Sequence, residues 1–262
     1  MKQRILTAAV ALILFIPFVL YGGWPFALFV YVMATIGLTE LLRMCNISKF
    51  SLLGIVGYLF LWLILIPNNE MNVFSFSFTK IEVVILFVML LLFTTVITKN
   101  KFAFDQAAFV FLSTIYVGIG FYFLVLARMN GLNYVLFALF IIWATDTGAY
   151  FFGNALGKKK LWPEISPNKT FAGAIGGILI ACIVSVIFQL VYPFDHSLVT
   201  ILLVAITTSI VGQIGDLVAS AYKRHYEIKD SGNILPGHGG ILDRMDSLIF
   251  VLPFLYVIQF IS

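Results

Sequence analysis

Charge is scarce in this chain. Of 262 residues only 11% are Asp, Glu, Lys or Arg, against 61% that are hydrophobic. A soluble domain carries roughly a quarter charged residues, so a water-soluble globule is excluded. Cysteine is nearly missing: Cys45 and Cys182 stand in separate apolar regions without metal-ligand spacing. That excludes a disulfide framework and a thiolate metal site, and free thiols are expected. The apolar runs do not alternate with polar residues, as the strands of a membrane barrel would. What remains is an all-α integral membrane protein, because in hydrocarbon only helices and closed barrels satisfy their own backbone.

Hydropathy marks about nine spans, at about 4–22, 24–43, 52–67, 81–98, 107–127, 133–153, 172–193, 197–220 and 246–261. The third and the last are short for a bilayer. Lys2 and Arg4 before an apolar run to Leu20 imitate a secretory signal peptide. No small-x-small cleavage pattern follows, so this segment reads as a retained first helix. With the N-terminus in the cytoplasm and the C-terminus outside, 14 of the 16 Lys and Arg fall on the cytoplasmic face. Only Lys80 and Arg128 fall outside, a strong positive-inside bias. The chain divides into residues 1–131, holding spans one to five, and residues 132–262, holding spans six to nine. The second part carries the two long cytoplasmic connections, 154–171 and 221–245, and with them the polar chemistry.

The densest polar stretch is KRHYEIKDSGNILPGHGGILDRMD, residues 223–246, with four cations, four acids and two histidines. Four acids stand apart. Asp146 and Asp216 interrupt apolar helices, where an ionisable group costs about 2.5–3.5 kcal/mol on insertion scales. Asp243 and Asp246 open the last span three residues apart, on one helical face. The topology brings all four to the cytoplasmic ends of their helices. Such acids either lock helices together by pairing with Lys or Arg, or they serve a site. Carboxylates without cysteine partners suit a hard cation, and magnesium takes one or two carboxylates plus substrate phosphates. Zinc would call for imidazole or thiolate, and His196, His225 and His238 are poorly spaced for it.

The cations fit a phosphorylated substrate. Lys223 and Arg224 follow span eight, Lys229 precedes Asp230, and Arg244 lies between the paired aspartates; Arg offers phosphate a fork and Lys a point charge. Lys158, Lys159 and Lys160 suit the simpler role of meeting anionic head groups. Pro236-Gly237-His238-Gly239-Gly240 precedes the last span, where backbone N–H groups can approach an anion. A tight re-entry turn would look the same. In the other loop, Ser166-Pro167-Asn168-Lys169-Thr170 makes Lys169 a phosphate ligand, while Gly173, Gly176 and Gly177 suit helix packing as well as ligand contact.

Taken together, these residues resemble the phosphatidate cytidylyltransferase family, the CDP-diacylglycerol synthases. The family's C-terminal signature, S-x-x-K-R-x4-K-D-x-G-x-x-x-P-G-H-G-G-x-x-D-R-x-D, runs unbroken here from Ser220 to Asp246. DTGAYFFG at 146–153, ISPNKT at 165–170 and GQIGDL at 212–217 resemble the family in the expected order. The resemblance spans the chain but is specific only from about residue 140. It departs at Ala172, where the family usually has Glu. The resemblance implies transfer of CMP from CTP to phosphatidate, with magnesium, with or without a monovalent cation, as cofactor. It implies Asp216, Asp243 and Asp246 as the metal-holding set, with Lys223, Arg224, Lys229, Arg244 and Lys169 on phosphates. His238 would orient pyrophosphate or act as an acid. Ser220, four residues after Asp216, would face the substrate, as would Ser166, Thr170, Asp230, Gly239, Gly240 and Asp146. A homodimer in a bacterial inner membrane, with the site facing the cytoplasm and no nucleic-acid partner, is the implied setting. Two other classes share parts of the pattern: a CTP-dependent polyprenol lipid kinase, and a transporter with a charged cytoplasmic gate.

Overall fold

The computed structural model describes residues 2–67, 72–73, 76–77 and 79–261. It is mostly helical: α1 (Lys2–Tyr21), α2 (Gly23–Met44), α3 (Leu52–Leu65), α4 (Lys80–Ile97), α5 (Phe104–Asn130), α6 (Leu132–Leu156), α7 (Phe171–Val191), α8 (Leu198–His225) and α9 (Leu242–Val257). Each expected span has its helix, within a few residues. Six of the helices, α2 and α4 to α8, are long and apolar enough to cross a bilayer. The other three do not reach that standard among the described residues. At 1.5 Å per residue, α3 is about 21 Å long and α9 about 24 Å, short of a hydrocarbon core of about 30 Å. The side chains of Lys2 and Arg4 lie outside the described residues.

Local sequence sets the helix starts. Ser51, Thr79, Thr170 and Ser197 each accept a hydrogen bond from a backbone N–H of the first turn, and Thr79 forms a full capping box with Glu82. Two short hairpins interrupt the all-α expectation. β1 (Asn72–Val73) pairs antiparallel with β2 (Phe76–Ser77). β3 (Lys160–Trp162) pairs with β4 (Ser166–Thr170) inside the segment expected to be a loop.

The chain forms two compact units: Met1–Leu126 with Asp230–Asp243, and Ala127–Lys229 with Arg244–Ser262. Helices α5 and α9 each run from the first into the second. In the first unit, α3 ends with carbonyls that lack intrahelical donors. The Lys80 ammonium donates to three carbonyls there, Leu63 (3.3 Å), which also accepts the Ile66 N–H, Ile64 (2.6 Å) and Ile66 just past the helix, and stands 4.5 Å over the Tyr122 ring. This occupation accounts for one of the two cations on the expected outer face.

In the second unit, α6, α7 and α8 pack together, with α6 against α7 the closest pair. Small residues permit it. A side-chain carbon on Gly148 would stand 2.7 Å from the Gly176 carbonyl oxygen, and one on Gly177 would stand 2.8 Å from that of Thr145. Gly173 and Gly177 repeat four residues apart, the spacing that lets membrane helices touch backbone to backbone. This close pair forms one wall of the site.

Candidate active site

The second unit holds a cavity of about 580 Å³ between α6, the β3–β4 hairpin, α7 and α8. That lies within the range of small-molecule sites. Its polar lining comes from Asp146, Asn154, Lys160, Asn168, Lys169 and Gln213. Lys169 is placed by the end of β4 and makes a 2.6 Å ion pair with Asp216 Oδ2. Its ammonium also donates to the Gln213 carbonyl at 3.3 Å. The Gln213 side chain reaches the Ala174 carbonyl, so α8 is tied to both β4 and α7 at this level.

Asp216 is within electrostatic range of two further carboxylates, Asp146 and Asp246. Lys169 and Arg244 are in range of Asp146, and Lys223 and Arg244 of Asp246. Three acids and three bases, expected from separate motifs, thus share one neighbourhood. Like charges repel, so a concentration of carboxylates at the end of apolar helices is stable only with compensating cations. Asp246 is buried and its Oδ1 accepts the Ser247 N–H at 2.8 Å. Gly215 lets α9 approach α8 here: a side-chain carbon on it would be 2.9 Å from the Asp246 carbonyl oxygen.

Other expected residues of this unit have more local duties. Thr170 is buried and caps α7, its Oγ1 accepting the Gly173 N–H at 3.1 Å. Ser166 opens β4. Arg224 is exposed and donates from Nε to the Ile165 carbonyl at 3.3 Å, tying the end of α8 to the hairpin. Ser220 is half-buried on α8, and Lys229 is exposed. Lys160, expected only at head groups, lines the cavity.

Asp230, His238, Gly239, Gly240 and Asp243 belong to the first unit. Here the glycine-rich motif is a built turn. The His238 N–H donates to the Leu235 carbonyl at 2.8 Å, with Pro236 and then Gly237 (φ 77°) at the corner. Pro followed by a positive-φ Gly is the type II pattern. Leu235 N–H returns to the Gly239 carbonyl at 3.0 Å. Asp243 Oδ2 gathers the Ser231 N–H (2.7 Å), the Ser231 hydroxyl (2.9 Å) and the Gly240 N–H (2.9 Å). Glu40 of α2, a residue the sequence motifs do not include, takes the Ile241 and Leu242 N–H groups. Of the N–H groups expected to meet an anion, that of Gly240 is engaged by Asp243 and that of His238 by the Leu235 carbonyl.

Among the described residues no three His, Cys, Asp or Glu side chains are grouped to hold a metal ion. Asp216 and Asp246 nonetheless supply two nearby oxygen donors, and the donor chemistry suits magnesium better than a softer ion.

The chain is similar to known proteins along nearly all of its length. The model of the cytidylyltransferase family matches residues 2–262. The chain is 49% identical over 259 residues to a phosphatidate cytidylyltransferase of Bacillus subtilis, covering 98% of this chain and 96% of that one. It is 48% identical over 258 residues to the phosphatidate cytidylyltransferase of Staphylococcus haemolyticus, covering 98% of each. That of Staphylococcus saprophyticus is 47% identical over the same length and coverage. A match of this extent, from the first helix to the last, makes the chain a member of the cytidylyltransferase family.

Proposed function

We propose that this protein transfers the cytidylyl group of CTP to phosphatidate, giving CDP-diacylglycerol and pyrophosphate. The carrying observation is the pairing of a roomy polar cavity with the carboxylate–cation cluster around Asp216, in a chain that matches phosphatidate cytidylyltransferases end to end. An oxygen of the lipid phosphate attacks the α-phosphorus of CTP. The bond from that phosphorus to the bridging oxygen breaks, and pyrophosphate leaves with the electron pair. A phosphate monoester with a second pKa near about 6 is largely ionised at neutral pH, so no strong base is required. Catalysis rests on positioning and on neutralising phosphate charge.

Lys169 and Lys160 enter the cavity as phosphate ligands, with Lys223 and Arg244 beside Asp246. Asp216 and Asp246 would hold magnesium, and Asp243 is assigned to the catalytic machinery by its place in the signature. Bound there, the ion would supply positive charge against the phosphates; two or three carboxylates leave its other positions to phosphate oxygens and water. His238 and Lys229 are assigned to pyrophosphate, and Ser220 to the substrate face of α8. We further infer nine crossings with the N-terminus inside, a cytoplasmic site in a bacterial inner membrane, and a homodimer.

Purified protein given CTP, magnesium and phosphatidate is expected to release pyrophosphate and form a cytidylylated lipid. Release of CDP would instead indicate a lipid kinase, and turnover of neither kind would remove the enzyme reading.

A further inference from the structure

The first unit contains an acid that the proposed chemistry does not use and that the fold treats with unusual care. Glu40 sits near the end of the apolar helix α2 and is only 6% exposed. Its two carboxylate oxygens accept three hydrogen bonds, all from one distant segment: the Ile241 N–H on Oε1 (2.9 Å), and the Leu242 N–H (3.0 Å) and Ser231 hydroxyl (2.9 Å) on Oε2. A buried carboxylate with fewer partners would be costly, so the three donors fix it in place. The converse also holds. Donors 191 to 202 positions away in sequence are held by one side chain.

The signature glycines are cut to fit it. A side-chain carbon on Gly232 would lie 2.5 Å from Glu40 Oε1, and one on Gly240 would collide with the same carboxylate. Gly237 and Gly239, by contrast, are required by their positive φ angles of 77° and 85°. Two of the four glycines between residues 232 and 240 therefore exist to admit Glu40. Ser231 then carries the connection onward. Its hydroxyl lies 2.9 Å from both Glu40 Oε2 and Asp243 Oδ2, and its N–H donates to the latter.

We propose that Glu40 is a positioning residue for the reaction, locking the 230–243 loop through Ser231 and the start of α9 so that Asp243 is presented in one orientation. This rests on the assignment of Asp243 to the catalytic machinery. Glu40 touches no reacting atom; it acts through Ser231 and the backbone.

The test uses the full-length protein in lipid nanodiscs. Glu40→Gln keeps the volume and one acceptor oxygen and removes the other. Misplacement of a reacting group by about 1 Å costs roughly 100-fold in rate, so kcat is expected to fall about 30- to 100-fold. The KM for CTP should stay within about twofold, because Lys160, Lys169, Lys223 and Arg244, the proposed phosphate ligands outside the 230–243 loop, are left in place. The thermal midpoint should remain near that of the unaltered protein. Ser231→Ala should lower kcat in the same way, and the double variant should be no worse than the worse single one, since both act through Asp243. Unaltered kcat in Glu40→Gln, a loss matched by an equal loss of folded protein, or full additivity with Ser231→Ala would each overturn the proposal. Asp243→Asn is measured alongside. If it is inactive while Glu40→Gln is normal, the positioning role alone is wrong. If Asp243→Asn turns over normally, the assignment beneath it fails as well.

Discussion

At the scale of single residues the site is organised by one cation. Lys169 pairs with Asp216 at 2.6 Å while Asp146 and Asp246 add their charges to the same Asp216. The two side chains of the pair are 24% and 36% exposed, so solvent screens them and the bond contributes about 1 kcal/mol or less to stability. Lys169 also lines the cavity, where the proposed triphosphate would draw more from its charge than Asp216 does. Lys169→Met is therefore expected to lower kcat/KM for CTP about 100-fold, equivalent to about 2.7 kcal/mol of transition-state stabilisation. The thermal midpoint should move by only a few degrees. Steady-state kinetics beside a thermal melt measures both, and a melt that collapses with the kinetics would make Lys169 structural.

Residues also differ in how well the sequence announces them. Asp146 and Asp216 are legible because an acid inside an apolar helix has a cost that must be offset. Glu40 obeys the same rule, near the end of α2, but Arg43 one turn later makes it look like an ordinary surface pair. In the structure Arg43 is exposed and Glu40 is buried against a loop some two hundred residues away. Local sequence does not contain that partnership. Ser231 is hidden for a related reason: the signature leaves its position open, and only the geometry reveals the two carboxylates within reach of it.

At the scale of elements, the nine helices are legible from hydropathy to within a few residues, because that signal is local. The β3–β4 hairpin was not. Its strands are only three and five residues long, the burial of β4 does not alternate, and β4 includes Pro167, so no sustained period-two signal is present. The hairpin matters because it places Lys160, Asn168 and Lys169 along one edge of the cavity. The opposite edge depends on how closely α7 approaches α6. Gly148→Ala tests that dependence: the added carbon would meet the Gly176 carbonyl oxygen at 2.7 Å, and backbone cannot turn away as a side chain can. Overpacking of this kind costs about 1–3 kcal/mol. A lowered thermal midpoint is expected together with a raised KM for CTP, since the displaced helices both line the cavity. An unchanged midpoint would mean the two helices are able to part without penalty.

At the scale of the whole molecule, the distribution of charge is the organising fact. Lys80 and Arg128 are the two cations expected outside, and Lys80 is spent on the end of α3, where three carbonyls receive it. In the proposed orientation the remaining 14 would mark the cytoplasmic face. Helix lengths agree with this arrangement. Asp216 lies 18 residues beyond the start of α8 at Leu198, about 27 Å along the axis, close to the far side of a hydrocarbon core of about 30 Å. In that orientation the last turns of α8, with Lys223 and Arg224, would extend past that boundary toward the head groups. This orientation has a direct consequence. Asp195, exposed between α7 and α8, should face the outside, and Glu164, exposed in the turn of the hairpin, should face the cytoplasm. In a background with Cys45 and Cys182 replaced by alanine, Asp195→Cys should react with a membrane-impermeant maleimide in intact cells. Glu164→Cys should react only after the membrane is opened. The opposite pattern would reverse the molecule in its bilayer and move the cavity, with Lys169 and Asp216, away from the compartment where CTP is made available.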